Sequence, residues 1–260
     1  MKKALSLLVV LALVCGALLS FTSCSQKEKL IVYTEAGFAP WETTQGTTVV
    51  GVDMEIAKYI AEKYGYELEI VDGNFDTIVA GISEDNAMGL AGISYSDDRA
   101  EKVSFSKFYY EGAIQCVIYK QADAAALLDA DGKFDTAHFS GKTVAVQTGT
   151  TGHMFADDNK EDWGCTVKSY TQYLQAVEDM KQGTVDYIVV DNAVAQQLCE
   201  ANADYTFSVC AGAEPEKYAA VVKLGNTALL DKINAAIDEL LVKNADGKTQ
   251  IDLWLEQYMA

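Results

Sequence analysis

The chain has 260 residues, half of them apolar and 22% charged, with 38 acidic side chains against 20 basic ones and a formal charge of −18. It is long enough for one large core or two modest ones, and its composition is that of a folded protein rather than a disordered one. So large an acidic excess argues against nucleic acid or an anionic membrane surface as partner.

The first residues are of a different kind. Lys2 and Lys3 precede an almost unbroken apolar run over 4–19, and the small residues Thr22 and Ser23 precede Cys24. A basic start, an apolar stretch short for spanning a bilayer and a small-residue cleavage site are the parts of a secretory signal. The expectation is a signal peptide over 1–23. The layout before Cys24 also resembles the lipobox of bacterial lipoproteins, with Phe21 where Leu is usual; it implies that Cys24 is acylated and that 24–29 is a polar, lipid-anchored linker. Without its leader the chain carries a formal charge of about −20, since the leader's only charges are two lysines.

The remainder alternates strand and helix. A β-type run over 30–34 is followed by a helix on Val52, Ile56, Tyr59 and Ile60, stopped at Gly65. Next come a strand over 68–71, a helix over 75–82 with Ile78, Val79 and Ile82 on one face, a strand over 88–91 and a polar loop over 92–99. Strands over 113–119 and 143–146 lead to a Gly/Thr-rich turn and a helix from about 150. A strand over 165–168, a helix on Leu174, Val177 and Met180 ended by Gly183, a buried strand over 187–190 and a helix over 192–200 continue the pattern. Strands over 205–209 and 218–222, a long helix on Ile233, Ile237, Leu240 and Leu241, and a last helix over 251–258 complete it. Such alternation predicts an α/β fold with mainly parallel sheets. In those sheets ligands bind beyond the carboxyl ends of strands. That singles out the loops 35–41, 72–76, 92–99, 147–152 and 191–192.

Those loops hold the chemistry. Arg99 is the only arginine among 20 basic residues; it offers a planar fork for a carboxylate, where lysine offers a point charge. The plainer alternative is a surface arginine paired with Asp97, Asp98 or Glu101. Asp191 ends a buried strand, where it either meets a cation or caps the next helix. The turn from Gln147 to Gly152 leaves backbone N–H groups open at a helix N-terminus, which favours an anion. It has neither GxGxxG nor a P-loop lysine, so no nucleotide is expected. Phe38, Trp41 and Phe75 sit where aromatics either flank a ligand or pack the core. Beyond Cys24, the residues Cys116, Cys165, Cys199 and Cys210 lack metal spacing, so neither metal nor cofactor is expected; disulfides and free thiols both stay open. His138 and His153 stand alone.

Together these segments resemble the bacterial extracellular solute-binding proteins of family 3, the polar amino acid binders of ABC transporters. The resemblance rests on the run from Val32 to Glu42, Gly51-Val52-Asp53, Phe75-Asp76, the run from Ala91 to Arg99, the run from Phe105 to Tyr110, the run from Val144 to Gly152, and Val189-Val190-Asp191. It implies a periplasmic-binding-protein (type II) fold. Lobe 1 would comprise 30–111 and 218–260, lobe 2 would comprise 112–217, and two crossing strands would join them around a ligand cleft. By position, Arg99 would pair with a ligand α-carboxylate, assisted by the N–H groups of Ser94 and Thr151. Asp191 would take the α-ammonium with the Gly92 carbonyl and the Ser94 hydroxyl, and Phe38 and Phe75 would flank the side chain. Glu35 matches a position often acidic in relatives taking basic or amide side chains, whereas Gln147 stands where the glutamine binder has lysine. The expectation is thus a monomeric, extracytoplasmic, lipid-anchored protein that binds a free polar or basic L-amino acid and delivers it to ABC permease subunits. Two other classes share the fold. A dehydratase-like enzyme would need a general acid, for which Glu35 is the candidate; a sensory subunit would present its ligand to a separate receptor.

Overall fold

The computed structural model describes residues 27–260; the expected signal peptide over 1–23 and the Cys24 anchor lie outside the described residues. The chain opens with β1 (Lys29–Thr34), then β2 (Gly37–Phe38), β3 (Glu42–Gln45), β4 (Thr48–Val50) and the helix α1 (Val52–Tyr64). Next are β5 (Glu67–Asp72), α2 (Phe75–Gly81), β6 (Ala87–Gly89), the short α3 (Asp97–Ala100) and the long β7 (Val103–Ala113). One residue later begins β8 (Gln115–Lys120), followed by α4 (Ala124–Leu127), β9 (Thr143–Gln147), α5 (Thr151–Trp163), β10 (Thr166–Tyr170), α6 (Tyr173–Lys181), β11 (Tyr187–Asp191), α7 (Asn192–Glu200) and β12 (Tyr205–Val209). The chain ends with β13 (Glu216–Lys223), α8 (Thr227–Leu240) and α9 (Gln250–Met259).

Two five-stranded sheets result, ordered β5-β1-β6-β13-β7 and β10-β9-β11-β8-β12, with a small sheet β2-β3-β4 beside the first. The chain crosses from one large sheet to the other between Ala113 and Gln115, and returns between Val209 and Glu216. The sheets are mixed rather than mainly parallel. In each, one strand runs against both neighbours, β13 in the first and β8 in the second. Each is entered directly from the other sheet, without the helical crossover that sets a strand parallel to its neighbour.

Burial follows the pattern of the residues. Every residue of β11 is buried, as expected for a strand covered on both faces. α1 turns Val52, Met54, Ile56, Ala57, Ile60 and Ala61 inward, and Gly65 ends it in the left-handed conformation, its N–H returning to the last carbonyls. Ile233, Ile237 and Leu240 of α8 join α1 in the same core, while α2 covers the opposite face of the first sheet through Phe75, Ile78 and Ile82. Cys116, Cys165, Cys199 and Cys210 are free thiols, and burial pushes Cys116 and Cys210 up to about 12.

Candidate ligand-binding site

The carboxyl ends of β1, β5 and β6 from one sheet meet those of β9 and β11 from the other. Between them lies a narrow, nearly closed cleft lined by Phe38, Phe75, Gly92, Ser94, Arg99, Gln147, Thr150, Thr151, Tyr173 and Asp191. Seven of the eight expected ligand contacts therefore line one space. The eighth, Glu35, sits just behind it, its carboxylate bound to the lining residue Gln147.

Arg99 is buried, on a single helical turn started by Ser96, whose hydroxyl accepts the Arg99 N–H. Its guanidinium donates to the Ser94 carbonyl at 2.6 Å and, across the cleft, to the Gly149 carbonyl at 2.9 Å. This excludes the surface-arginine alternative. Burial lowers its pKa, while Glu216 and Asp191 act to raise it; a guanidinium stays charged under such shifts, and two of its five donors are committed. The Phe75 ring lies under this guanidinium at 5.3 Å, so Phe75 serves the arginine as well as the cavity wall. Phe38 stacks on Tyr173 at 6.1 Å, a pair contributed by both sides of the cleft.

The turn after β9 approaches the other side closely. Gly149 has φ +80, and a Cβ there would lie 2.8 Å from Cβ of Asp76. Thr150 caps α5 by accepting the His153 N–H, and the first-turn N–H groups of Thr151 and Gly152 have no acceptor among the described residues. Thr151 Oγ1 donates to Glu216 at 2.6 Å.

Asp191 holds the N-cap position of α7, yet its side chain makes no capping bond. Its carboxylate instead accepts from Gln115 Nε2 and from the Tyr218 hydroxyl. Burial, then the neighbouring Glu216, push its pKa up to about 7 against the pull of those donors and of Arg99. Gln115 Nε2 also donates to Glu216 at 2.8 Å. Asp191 and Glu216 thus form a doubled negative centre beside Arg99.

At the far end Glu35 is buried. Gln147 Nε2 donates to it at 2.9 Å and Gln172 Nε2 at 3.2 Å. Burial raises its pKa above the ordinary range, and the two amides only partly offset that. Among the described residues no lysine or arginine pairs with it.

Several residues of this site carry no signal in the sequence: Gln115, Gln172, Tyr173, Glu216 and Tyr218. Gln115, Glu216 and Tyr218 lie on β8 and β13 themselves, so a search of post-strand loops passes over them. Gln172 and Tyr173 follow β10 by two and three residues, in a loop outside those the sequence singles out. Trp41, read as either a ligand or a core aromatic, is fully buried against Tyr109, Tyr110 and Tyr218.

A two-lobed α/β fold with a charged cleft between its sheets defines a solute-binding protein of the periplasmic type. The chain belongs to the bacterial extracellular solute-binding proteins, family 3, whose model matches residues 30–250. It is 29% identical over 247 residues to the arginine-binding extracellular protein ArtP of Bacillus subtilis, covering 92% of this chain and 93% of that one. An ancestral arginine-binding protein bound to arginine superposes with a TM-score of 0.76 at 31% identity, covering 90% of this chain and 99% of its own. The Streptococcus pneumoniae amino acid ABC transporter substrate-binding protein AbpA, bound to L-arginine, gives a TM-score of 0.78 at 26% identity, with 89% and 94% covered.

Proposed function

We propose that this protein captures free L-arginine, or a closely similar basic amino acid, between its lobes and delivers it to an ABC importer from outside the cytoplasm, held to the membrane by acylated Cys24. Lobe 1 is taken as 30–111 with 218–260, and lobe 2 as 112–217. The observation that carries the ligand's identity is the buried Glu35 carboxylate, which has only neutral amide donors on the protein side. A buried carboxylate is costly unless a cation meets it, and a guanidinium entering from the cavity supplies that cation.

The other end suits the zwitterion. Arg99 and the open N–H groups of Thr151 and Gly152 take the α-carboxylate, with the Ser94 N–H beside them. Asp191, backed by Glu216, takes the α-ammonium with the Gly92 carbonyl and the Ser94 hydroxyl. Phe38 and Tyr173 border the path of the side chain, with flat faces for a planar cation. The relatives are binding proteins, and this arrangement binds a whole free amino acid without a reacting centre. That favours binding over dehydratase-like catalysis.

A thermal-shift screen of the soluble chain against the twenty amino acids tests this directly, because a ligand bound only by the folded state raises its apparent stability by mass action. The expected order is arginine first, lysine and other polar amino acids behind, acidic ones absent. A largest shift with an acidic or aliphatic amino acid overturns the reading of Glu35.

A further inference from the structure

A second acidic centre lies behind the cleft. Glu42 and Asp53 are both fully buried. Asp53 Oδ2 accepts the Gly92 N–H at 2.8 Å and the Tyr109 hydroxyl at 3.0 Å. Asp53 Oδ1 and both oxygens of Glu42 accept from no donor among the described residues. The backbone brings the two residues together: the Asp53 N–H donates to the Trp41 carbonyl at 3.0 Å, and a Cβ on Gly51 would lie 2.9 Å from Glu42 Cα. The titratable groups facing them are Glu35 from the loop after β1, Asp72 at the end of β5 and Tyr109 on β7, all acidic. No lysine or arginine pairs with either carboxyl among the described residues.

Two adjacent carboxylates without a counter-ion, both out of water, cannot be charged together at an acceptable cost. A carboxylic acid gains one O–H donor on protonation, and one proton placed between the two groups turns a repulsion into a hydrogen bond. We propose that Glu42 and Asp53 share a single proton, with Glu42 donating to Asp53 Oδ1, and that this pair is the positioning element that holds the Gly92 turn in its ligand-receiving shape. Burial, then the neighbouring acids, hold Glu42 well above the ordinary carboxylate range, and burial pushes Asp53 up to about 6.

The coupling to the cleft is short. Gly92 has φ +53, and a Cβ there would lie 2.7 Å from the Phe38 ring, so the turn fits only as glycine and only in this shape. Its N–H is tied to Asp53, which sets the direction of the peptide that runs on to Ser94. Glu42 fixes Asp53 through the proton, and Asp53 fixes Gly92. The positioning half of the proposal rests on the amino-acid site proposed above; the shared proton does not.

Two measurements on the full mature chain test it. At neutral pH, without amino acid, the infrared spectrum should contain the band of a buried protonated carboxylic acid. Asp191, with a pKa of about 7, contributes a band of its own at that pH, so the test is read in the Asp191→Asn background, where the band should persist and then disappear when Glu42→Gln is added. A band left unchanged by Glu42→Gln in that background refutes the shared proton. In arginine calorimetry Glu42→Gln, whose amide still donates to Asp53, should stay within about twofold of the parent, and Glu42→Ala should bind about tenfold more weakly. Equal affinity in Glu42→Ala and the parent refutes the positioning role. If Glu42→Ala does not fold, Glu42→Leu, which fills the space but offers Asp53 no donor, takes its place in the calorimetry with the same two outcomes. Failure of the parent chain itself to bind any amino acid overturns the ligand site and leaves the infrared result to decide the proton.

Discussion

The two ends of the cleft manage charge in opposite ways. At one end Arg99, Asp191 and Glu216 face each other, and each charge is already partly answered by its neighbours and by Gln115, Thr151 and Tyr218. At the other end the buried Glu35 stands with two neutral amides. On the proposed reading the first end takes the zwitterion, a group every amino acid carries. On the same reading the second takes a cationic side chain at Glu35. That reading divides general affinity from specificity.

That division can be broken in order of expected effect. Arg99→Ala removes the sole cation of the zwitterion end and leaves Asp191, Glu216 and the ligand carboxylate facing one another. The expected loss is about 3–5 kcal/mol, more than a hundredfold in Kd for every amino acid, measured by calorimetry. Retained affinity would refute the carboxylate assignment. Asp191→Asn keeps the shape but removes the charge under the ammonium, and should weaken all ligands by about 2 kcal/mol, roughly thirtyfold; an unchanged Kd would make it a structural residue only. Glu35→Gln should cost arginine about tenfold and leave neutral amino acids near the parent, so the ratio of the two affinities is the sharper readout. An equal loss for both would erase the distinction between the ends.

The smallest effect is on pH. A ligand ammonium favours ionised Asp191, so binding expels the proton held in the free protein with a pKa of about 7. Affinity should therefore rise with pH up to that value and level off above it, by about threefold between roughly pH 6.5 and 7.5. The stability of the free protein should run the other way. Asp53 at about 6 and Asp191 at about 7 both lie above their unfolded value of 3.8. The folded state then binds more protons than the unfolded one between those values. Their contribution is complete below about pH 4 and is lost as pH climbs through 6 to 7. Thermal unfolding across that range, with and without arginine, reads both signs in one experiment.

The longer helices and most strands of the two large sheets are legible because burial dictates their periodicity: the sequence predicts α7 over 192–200 and β12 over 205–209, the bounds they have in the fold. The sheet β2-β3-β4 was not, because runs such as Glu42–Gln45 are polar and carry no alternation between faces. β7 was missed as a strand because its pairing with β13 shifts register three times, which breaks the period of two that marks a strand. Of the site, residues in post-strand loops could be found by the rule for α/β sheets. Whether Asp191 capped its helix was undecidable from spacing, since both roles need an acid at that position; only the direction of the side chain separates them. Glu42 and Asp53 gave no signal of burial in the sequence, where acidic residues ordinarily mean surface.

The crossing strands have one more consequence. Gln115 begins the outgoing strand, and Glu216 and Tyr218 begin the returning one; all three hold or face Asp191. In a rotation, atoms move in proportion to their distance from the axis, and the two crossing strands are where the lobes are joined. Contacts seated there would travel least in such a rotation, whereas the bridge from Gln147 to Glu35 lies off those strands and would travel further. An incoming amino acid would then meet a nearly finished ammonium socket first, and the check on its side chain would come last, as the gap closes.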